Sequence, residues 1–233
     1  MRGVAKLAGA AIGLAVVCSA GSAWADFSAC DGGLRADTPE QKIKLYTLCI
    51  DKGGLPIVER AGAYNNRGNA YEQLGDVDKA LQDFSWAIES DPNWPTSYLN
   101  RGGIYQSRGE WAKARADLDK AVQVGNANTA GIARHLFNAD AWLLATCPDP
   151  AVRDGPRAVK MAQRAVGVEE TAKTRDTLAA AYAEAGQFED AVREETKAIA
   201  LAEAKQPEPE IGSFQARLQL YQHGMPFHRP PRP

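Results

Sequence analysis

The chain has 233 residues, and its 29 acidic side chains slightly outnumber its 27 lysines and arginines. A net charge of −2 with no basic block excludes the electrostatic footprint of a nucleic-acid-binding protein. Four cysteines and three histidines, widely spaced, offer no clustered ligand set for a zinc-type metal site.

The opening segment, "MRGVAKLAGAAIGLAVVCSAGSAWA", is ordered like an export signal. Arg2 and Lys6 give a positive start, Leu7 to Val17 a short apolar stretch, and Ala23-Trp24-Ala25 a small-x-small cleavage site. The apolar run is shorter than the ~20 residues that span a bilayer. Val17 stands before Cys18 where a lipid-attachment signal has a small residue. Cleavage after Ala25 is therefore expected, giving a periplasmic or secreted chain whose net charge moves from −2 to −4 with the loss of Arg2 and Lys6. That mature chain has no integral membrane segment, and it retains Cys30, Cys49 and Cys147 in a compartment where two cysteines can pair.

"TPEQKIKLYTLCIDKGG" predicts the first helix: Thr38 is a capping residue, Pro39 takes the first helical position, Ile43, Leu45, Leu48 and Ile50 are apolar, and glycines end it. Two longer segments then repeat. "YNNRGNAYEQLGDVDKALQDFSWAI" from Tyr64 and "YLNRGGIYQSRGEWAKARADLDKAV" from Tyr98 match at an offset of 34 residues. Tyr64/Tyr98, Asn66/Asn100, Arg67/Arg101, Gly68/Gly102, Tyr71/Tyr105 and Gly75/Gly109 coincide, as do Lys79/Lys113, Ala80/Ala114, Asp83/Asp117 and Ala87/Ala121. Gly68 and Ala80 are small where two antiparallel helices must approach, while Tyr71, Phe84 and Ala87 recur at helical spacing to fill the seam. Gly75 ends the first helix, Asp76 caps the second, and the prolines of "SDPNWP" close the unit.

"RHLFNADAWLLATCPDPAVRDGPRAVKMAQRAV" is a stretched version. Setting Ala141 against Gly68 puts Leu144 against Tyr71, Cys147 against Leu74, Pro148 at the glycine stop and Ala158 at Ala80. The connection is about five residues longer than normal and is expected to project from the edge as a contact loop. "RDTLAAAYAEAGQFEDAVREETKAIALA" restores the pattern, with Ala179, Tyr182, Gly186, Ala191 and Ala198 in register. Glu195 replaces the Phe84-type aromatic, so that side of the unit is expected to be more exposed. "EIGSFQARLQLYQHG" predicts an amphipathic capping helix ending at Gly224, because a terminal repeat face has no neighbour. "MPFHRPPRP" is expected to be extended across the last helix pair or disordered.

The repeated pattern resembles the tetratricopeptide repeat. The resemblance implies an all-α solenoid of antiparallel helix pairs: an N-terminal half-repeat (26–60), units at 61–94, 95–128, 129–171 and 172–205, a capping helix (206–224) and a proline-rich tail (225–233). The "AWLLATCPDPxxRDG" and "DTLAAAYAEAGxF" elements are similar to those of exported repeat proteins of alphaproteobacterial type, which often open with a cysteine-bearing segment. Cys30 and Cys49 are the corresponding pair here, and a disulfide between them is implied.

In this family, positions 2, 5, 9, 12 and 13 of a unit face the groove. That implies Gly62, Asn65, Asn69, Glu72 and Gln73; Thr96, Leu99, Gly103, Gln106 and Ser107; and Lys173, Asp176, Ala180, Ala183 and Glu184. Such an amide-rich wall suits hydrogen bonding to an extended peptide. Some relatives clamp a C-terminal carboxylate, but Gln106, Ser107 and Asp176 supply no cation and Lys173 stands alone. Asn66, Asn100, Arg67 and Arg101 read as structural.

The expected function is a non-enzymatic interaction module or scaffold in the bacterial envelope, holding a protein or peptide partner in the groove, with no cofactor. An alternative is an accessory subunit that binds through its convex face or tail. A more distant one is a thiol enzyme or redox factor with a reactive Cys147. Its nearest histidine, His135, lies twelve residues earlier, ~18 Å along one helix.

Overall fold

The computed structural model describes residues 28–125, 131–204 and 210–230, and every regular element among them is helical. The proposed signal segment 1–25 lies outside the described residues. The helices are α1 (Ser28–Arg35), α2 (Pro39–Asp51), α3 (Ile57–Gln73), α4 (Val77–Ser90), α5 (Pro95–Ser107), α6 (Trp111–Val124), α7 (Ala133–Thr146), α8 (Gly155–Val168), α9 (Ala172–Glu184), α10 (Phe188–Ala204) and α11 (Ile211–Gln222). They form antiparallel pairs α3/α4, α5/α6, α7/α8 and α9/α10, each stacked on the next, with α1 and α2 at one end and α11 at the other.

The boundaries follow from local chemistry. Thr38, Asp76 and Asp154 each accept a backbone N–H from the third residue on, starting α2, α4 and α8. Thr171 and Thr174 form a reciprocal capping box at α9. Gly75, Gly109 and Gly186 turn the chain between paired helices with φ of 78°, 73° and 75°, a region costly for any residue with a Cβ. Inside each pair, Ala80, Ala114, Ala158 and Ala191 are fully buried at the helix crossing.

An arginine–carboxylate tie recurs across the pairs. Arg67 makes two 2.8 Å hydrogen bonds to Asp83, and Arg101 makes two of the same length to Asp117. Each arginine also donates one 3.0 Å bond to a hydroxyl of the preceding repeat layer, Thr47 or Ser85. In the stretched unit the charges are exchanged: Asp140 lies in the first helix and Arg157 in the second, 3.1 Å apart. In the last pair Arg175 holds Glu194 at 2.5 Å. The polarity of the tie and the residues that carry it vary from unit to unit, but each described pair keeps one arginine–carboxylate link between its two helices.

Three expectations are revised. The N-terminal cap contains a helix pair, since Ser28–Arg35 forms α1 and packs on α2 through the Cys30–Cys49 disulfide, with Cα atoms 5.3 Å apart. Gly32 and Gly33 are poor helix formers, which hid this helix in the sequence. The Tyr46 ring packs so closely that a Cβ on Gly33 would lie 2.7 Å from it. Second, the long connection after α7 does not project. Val152 is buried against Leu118, Leu143 and Cys147, its carbonyl accepts from Arg115 at 2.7 Å, and Asp154 N–H donates to the Leu144 carbonyl at 3.0 Å. Gly155 is pressed so closely on the α9 terminus that a Cβ would lie 2.8 Å from the Ala185 nitrogen.

Third, Glu195 is fully buried, not exposed. The capping helix α11 covers it with Arg217 and Tyr221, and Asp176 stands across from α9. Arg217 Nε donates to Asp176 Oδ1 at 2.6 Å and lies 3.8 Å from Glu195 Oε1. Burial, reinforced by the neighbouring Asp176 charge, pushes the Glu195 carboxyl up to about 10, so at neutral pH it is held as the uncharged acid.

Candidate functional site

The first helices α3, α5, α7 and α9 form the inner wall. The structure divides the sequence-derived groove residues into two groups. Towards the N-terminal end, Asn65 is buried and accepts from Ser97 at 3.2 Å and Asn100 at 3.1 Å, while Asn100 also donates to Asn69 at 2.8 Å. These amides join unit one to unit two. Asn65 therefore contributes no surface, and Asn100 is structural as expected. Glu72 and Gln73 are exposed beyond this ladder, Thr96 is half-buried, and Ser107 is exposed with its hydroxyl bonded to the Ile104 carbonyl.

Towards the other end, α5, α7, α9 and α11 enclose two clefts that share Asn138, Trp142 and Lys173. One, of about 310 Å³, is lined also by Asp176, Phe214 and Arg217. The other, of about 460 Å³, is lined also by Leu99, Gln106, Arg134 and His135. Lys173 is exposed and paired with Glu210 at 3.0 Å. Asp176 reaches the cleft wall, but its carboxylate is buried and bonded to Arg217, an anchor for the cap.

Of the two courses expected for the proline-rich end, extended across the last helix pair or disordered, the structure shows an extended one for residues 225–230. After Gly224 (φ 68°) the chain reverses, Met225 N–H closing on the Leu220 carbonyl, and residues 226–230 run back over the inner face without regular structure. Phe227 packs on Trp142 with ring centroids 6.1 Å apart, and the Arg217 guanidinium lies 5.4 Å from the Phe227 centroid. His228 Nε2 meets Glu184 Oε2 at 2.6 Å. Arg229 donates its main-chain N–H to the Thr146 carbonyl at 2.9 Å and its Nη1 to Gln106 Oε1 at 3.1 Å, and its guanidinium stacks 5.1 Å from the Trp111 centroid. Trp111, Trp142, Thr146 and Arg217 thus join Gln106 and Glu184 in contact with the tail. A tryptophan in a helical pattern reads as core from sequence, and only the tail's path shows that these rings are half-exposed platforms.

A family model described as the tetratricopeptide repeat matches residues 61–93, and a second of the same description matches 96–127 and 171–205. The chain carries tetratricopeptide repeats. Solved repeat structures share the fold at low identity. A tetratricopeptide repeat protein from Parabacteroides merdae is 15% identical with a TM-score of 0.63, covering 86% of this chain and 73% of its own. MamA from Desulfovibrio magneticus is 16% identical at 0.59, covering 78% and 97%. YrrB, a TPR protein with an unusual peptide-binding site, is 20% identical at 0.55, covering 76% and 96%. Comparison with curated protein sequences gave no match.

Within the tetratricopeptide array, Cys147 is fully buried, packed with Leu118, Leu143 and Val152. Burial raises its thiol pKa, the reverse of the activation that thiolate chemistry requires. It serves the packing of the long connection, whereas Leu74, its counterpart in unit one, is exposed. No group of three or more His, Cys, Asp or Glu among the described residues is arranged to hold a metal ion, and no helix among them is long and apolar enough to cross a membrane.

Proposed function

We propose that this tetratricopeptide-repeat chain is a non-enzymatic interaction module of the bacterial cell envelope that holds an extended peptide or partner segment along its inner wall. The observation that carries the reading is the course of residues 226–230: an extended stretch of polypeptide lies on α5, α7 and α9, tied by one main-chain hydrogen bond and by side-chain contacts at three consecutive residues. A wall that accommodates one extended segment has the donors, acceptors and ring faces to accommodate another. The Cys30–Cys49 disulfide is compatible with an oxidising compartment and so with the export signal read at 1–25. YrrB supports the reading to the extent that a similar fold there carries a peptide-binding site.

The alternative of a tail-borne contact is not a separate surface, because the tail and the groove touch. The test is site-specific photo-crosslinking in envelope extracts, with the crosslinker placed in turn at the exposed groove residues Gln73 and Lys173 and at the exposed α8 residue Lys160. Capture of one species from Gln73 and Lys173 alone is expected. Capture only from Lys160 would overturn the groove assignment.

A further inference from the structure

Residues 227–229 meet the inner wall one subsite at a time, and each subsite is held in place by protein groups outside the tail. The ring platform for Phe227 is Trp142 with Arg217, and Arg217 is fixed from behind by Asp176 at 2.6 Å. The acceptor for His228 is Glu184, whose second oxygen is already oriented by Arg153 at 2.9 Å. The seat for Arg229 combines Gln106 of α5, the Trp111 ring at the start of α6 and the carbonyl that ends α7. Pre-oriented groups that do not depend on their occupant form a receptor, because little is reorganised when one occupant replaces another. The tail itself is a compact ligand: Pro226 and Pro230 bracket the three contact residues and hold them extended at low entropic cost. Beside it, the cleft of about 460 Å³ continues from Gln106 and Trp142 to Leu99, Arg134 and Lys173, with room for more residues than the tail supplies.

We propose that residues 225–230 are a resident ligand of the groove, and that its external partner is an extended protein segment with the same order of side chains, an aromatic followed by hydrogen-bond-donating basic residues, which binds by displacing the tail. The proposal rests on the reading of the groove as a peptide site. A single acidic acceptor flanked by two tryptophan faces selects that order: the rings take an aromatic and a guanidinium, and Glu184 accepts from the residue between them. A tethered tail competes at an effective concentration on the order of 1 mM. A peptide of equal intrinsic affinity therefore sees an apparent Kd on the closed chain equal to its open-chain Kd plus about 1 mM, a ten-fold or larger weakening for any open-chain Kd of about 0.1 mM or below.

The experiment uses the full chain and a fluorescent peptide with the sequence of residues 225–230, MPFHRP, read by anisotropy. Three proteins are compared: wild type, a tail-released variant (Phe227→Ala with Arg229→Ala), and that variant with Glu184→Gln. Circular dichroism confirms the fold of each. Expected is binding to the released variant at least ten-fold tighter than to wild type, lost again on Glu184→Gln. Equal binding to wild type and released variant, abolished by Glu184→Gln, overturns the resident-ligand proposal but leaves the groove a peptide site. No binding to the folded, released variant overturns both. Binding to the released variant that Glu184→Gln leaves unchanged overturns the assigned subsite.

Discussion

Gly68 and Gly102 occupy the same position in two repeats of nearly the same sequence, yet an added methyl group should have opposite effects on stability. In α5, a Cβ on Gly102 would sit 3.4 Å from Asp117 Cβ and 3.5 Å from Leu118 Cγ, close to ordinary contact. In α3, a Cβ on Gly68 would lie 2.7, 2.9 and 3.2 Å from three atoms of the Phe84 ring. That ring is fully buried, between Ala80 and Ile104, and has nowhere to retreat. Replacing a mid-helix glycine by alanine gains about 1 kcal/mol of helix propensity. Overpacking a closed core costs roughly 1–3 kcal/mol. Gly102→Ala should therefore be neutral to stabilising by up to about 1 kcal/mol, and Gly68→Ala, at roughly 2 kcal/mol of overpacking less about 1 kcal/mol of propensity, destabilising by about 1 kcal/mol. For a chain of this size, 1 kcal/mol moves the melting temperature by roughly 2–4 °C. Parallel thermal melts should thus separate the two variants by at least about 2 °C. The control is Phe84→Leu, which installs the residue that the second unit carries at Leu118. In that background Gly68→Ala should cease to be destabilising, giving a coupling energy in the double-mutant cycle. A Gly68→Ala protein that melts at or above wild type, or one that Phe84→Leu fails to rescue, refutes the packing argument.

Two further outcomes are expected. Glu195, with its carboxyl pushed up to about 10 from an unfolded value near ~4.3, keeps a proton in the folded chain that the unfolded chain releases. Stability therefore falls as pH rises through that window, by at most about 1.4 kcal/mol per pH unit for this one proton. Glu195→Gln removes the dependence, so its stability relative to wild type should grow from pH 5 to pH 9; a constant difference would show that Glu195 is already ionised in the fold. Separately, alkylation without reductant followed by mass mapping should find Cys30 and Cys49 protected. Cys49→Ser should loosen α1 and cost up to about 3 kcal/mol for a loop of 19 residues. A labelled Cys30 in the unreduced protein would remove the bond.

The repeat was legible because its physics is local. The 34-residue spacing of small residues, helix-stopping glycines and capping aspartates is imposed by neighbours along the chain and by one adjoining helix. The helix pairs, Pro39 at the start of α2 and the helix stop at Gly224 could therefore all be read from residue types. The inner-wall positions were read less completely. The family-derived register named Gln106 and Glu184, which the structure places against the tail, but spacing along one helix could not tell that Asn65 faces Ser97 and Asn100 of the next unit.

What only the tertiary structure decided concerns groups whose surroundings come from distant parts of the chain. Glu195 replaces an aromatic and is buried because α11, a separate element, closes over it with Arg217. The long connection at 147–154 folds inward because Arg115 from α6 and Glu184 from α9 meet its polar groups, Glu184 through Arg153. The proline-rich end, whose composition left packing across the last helix pair and disorder both open, lies along the inner face because Trp142, Glu184 and Gln106, brought together from α7, α9 and α5, match Phe227, His228 and Arg229. Residue spacing within a unit determined the scaffold of this protein, while contacts between groups far apart in the chain determined what its inner wall holds.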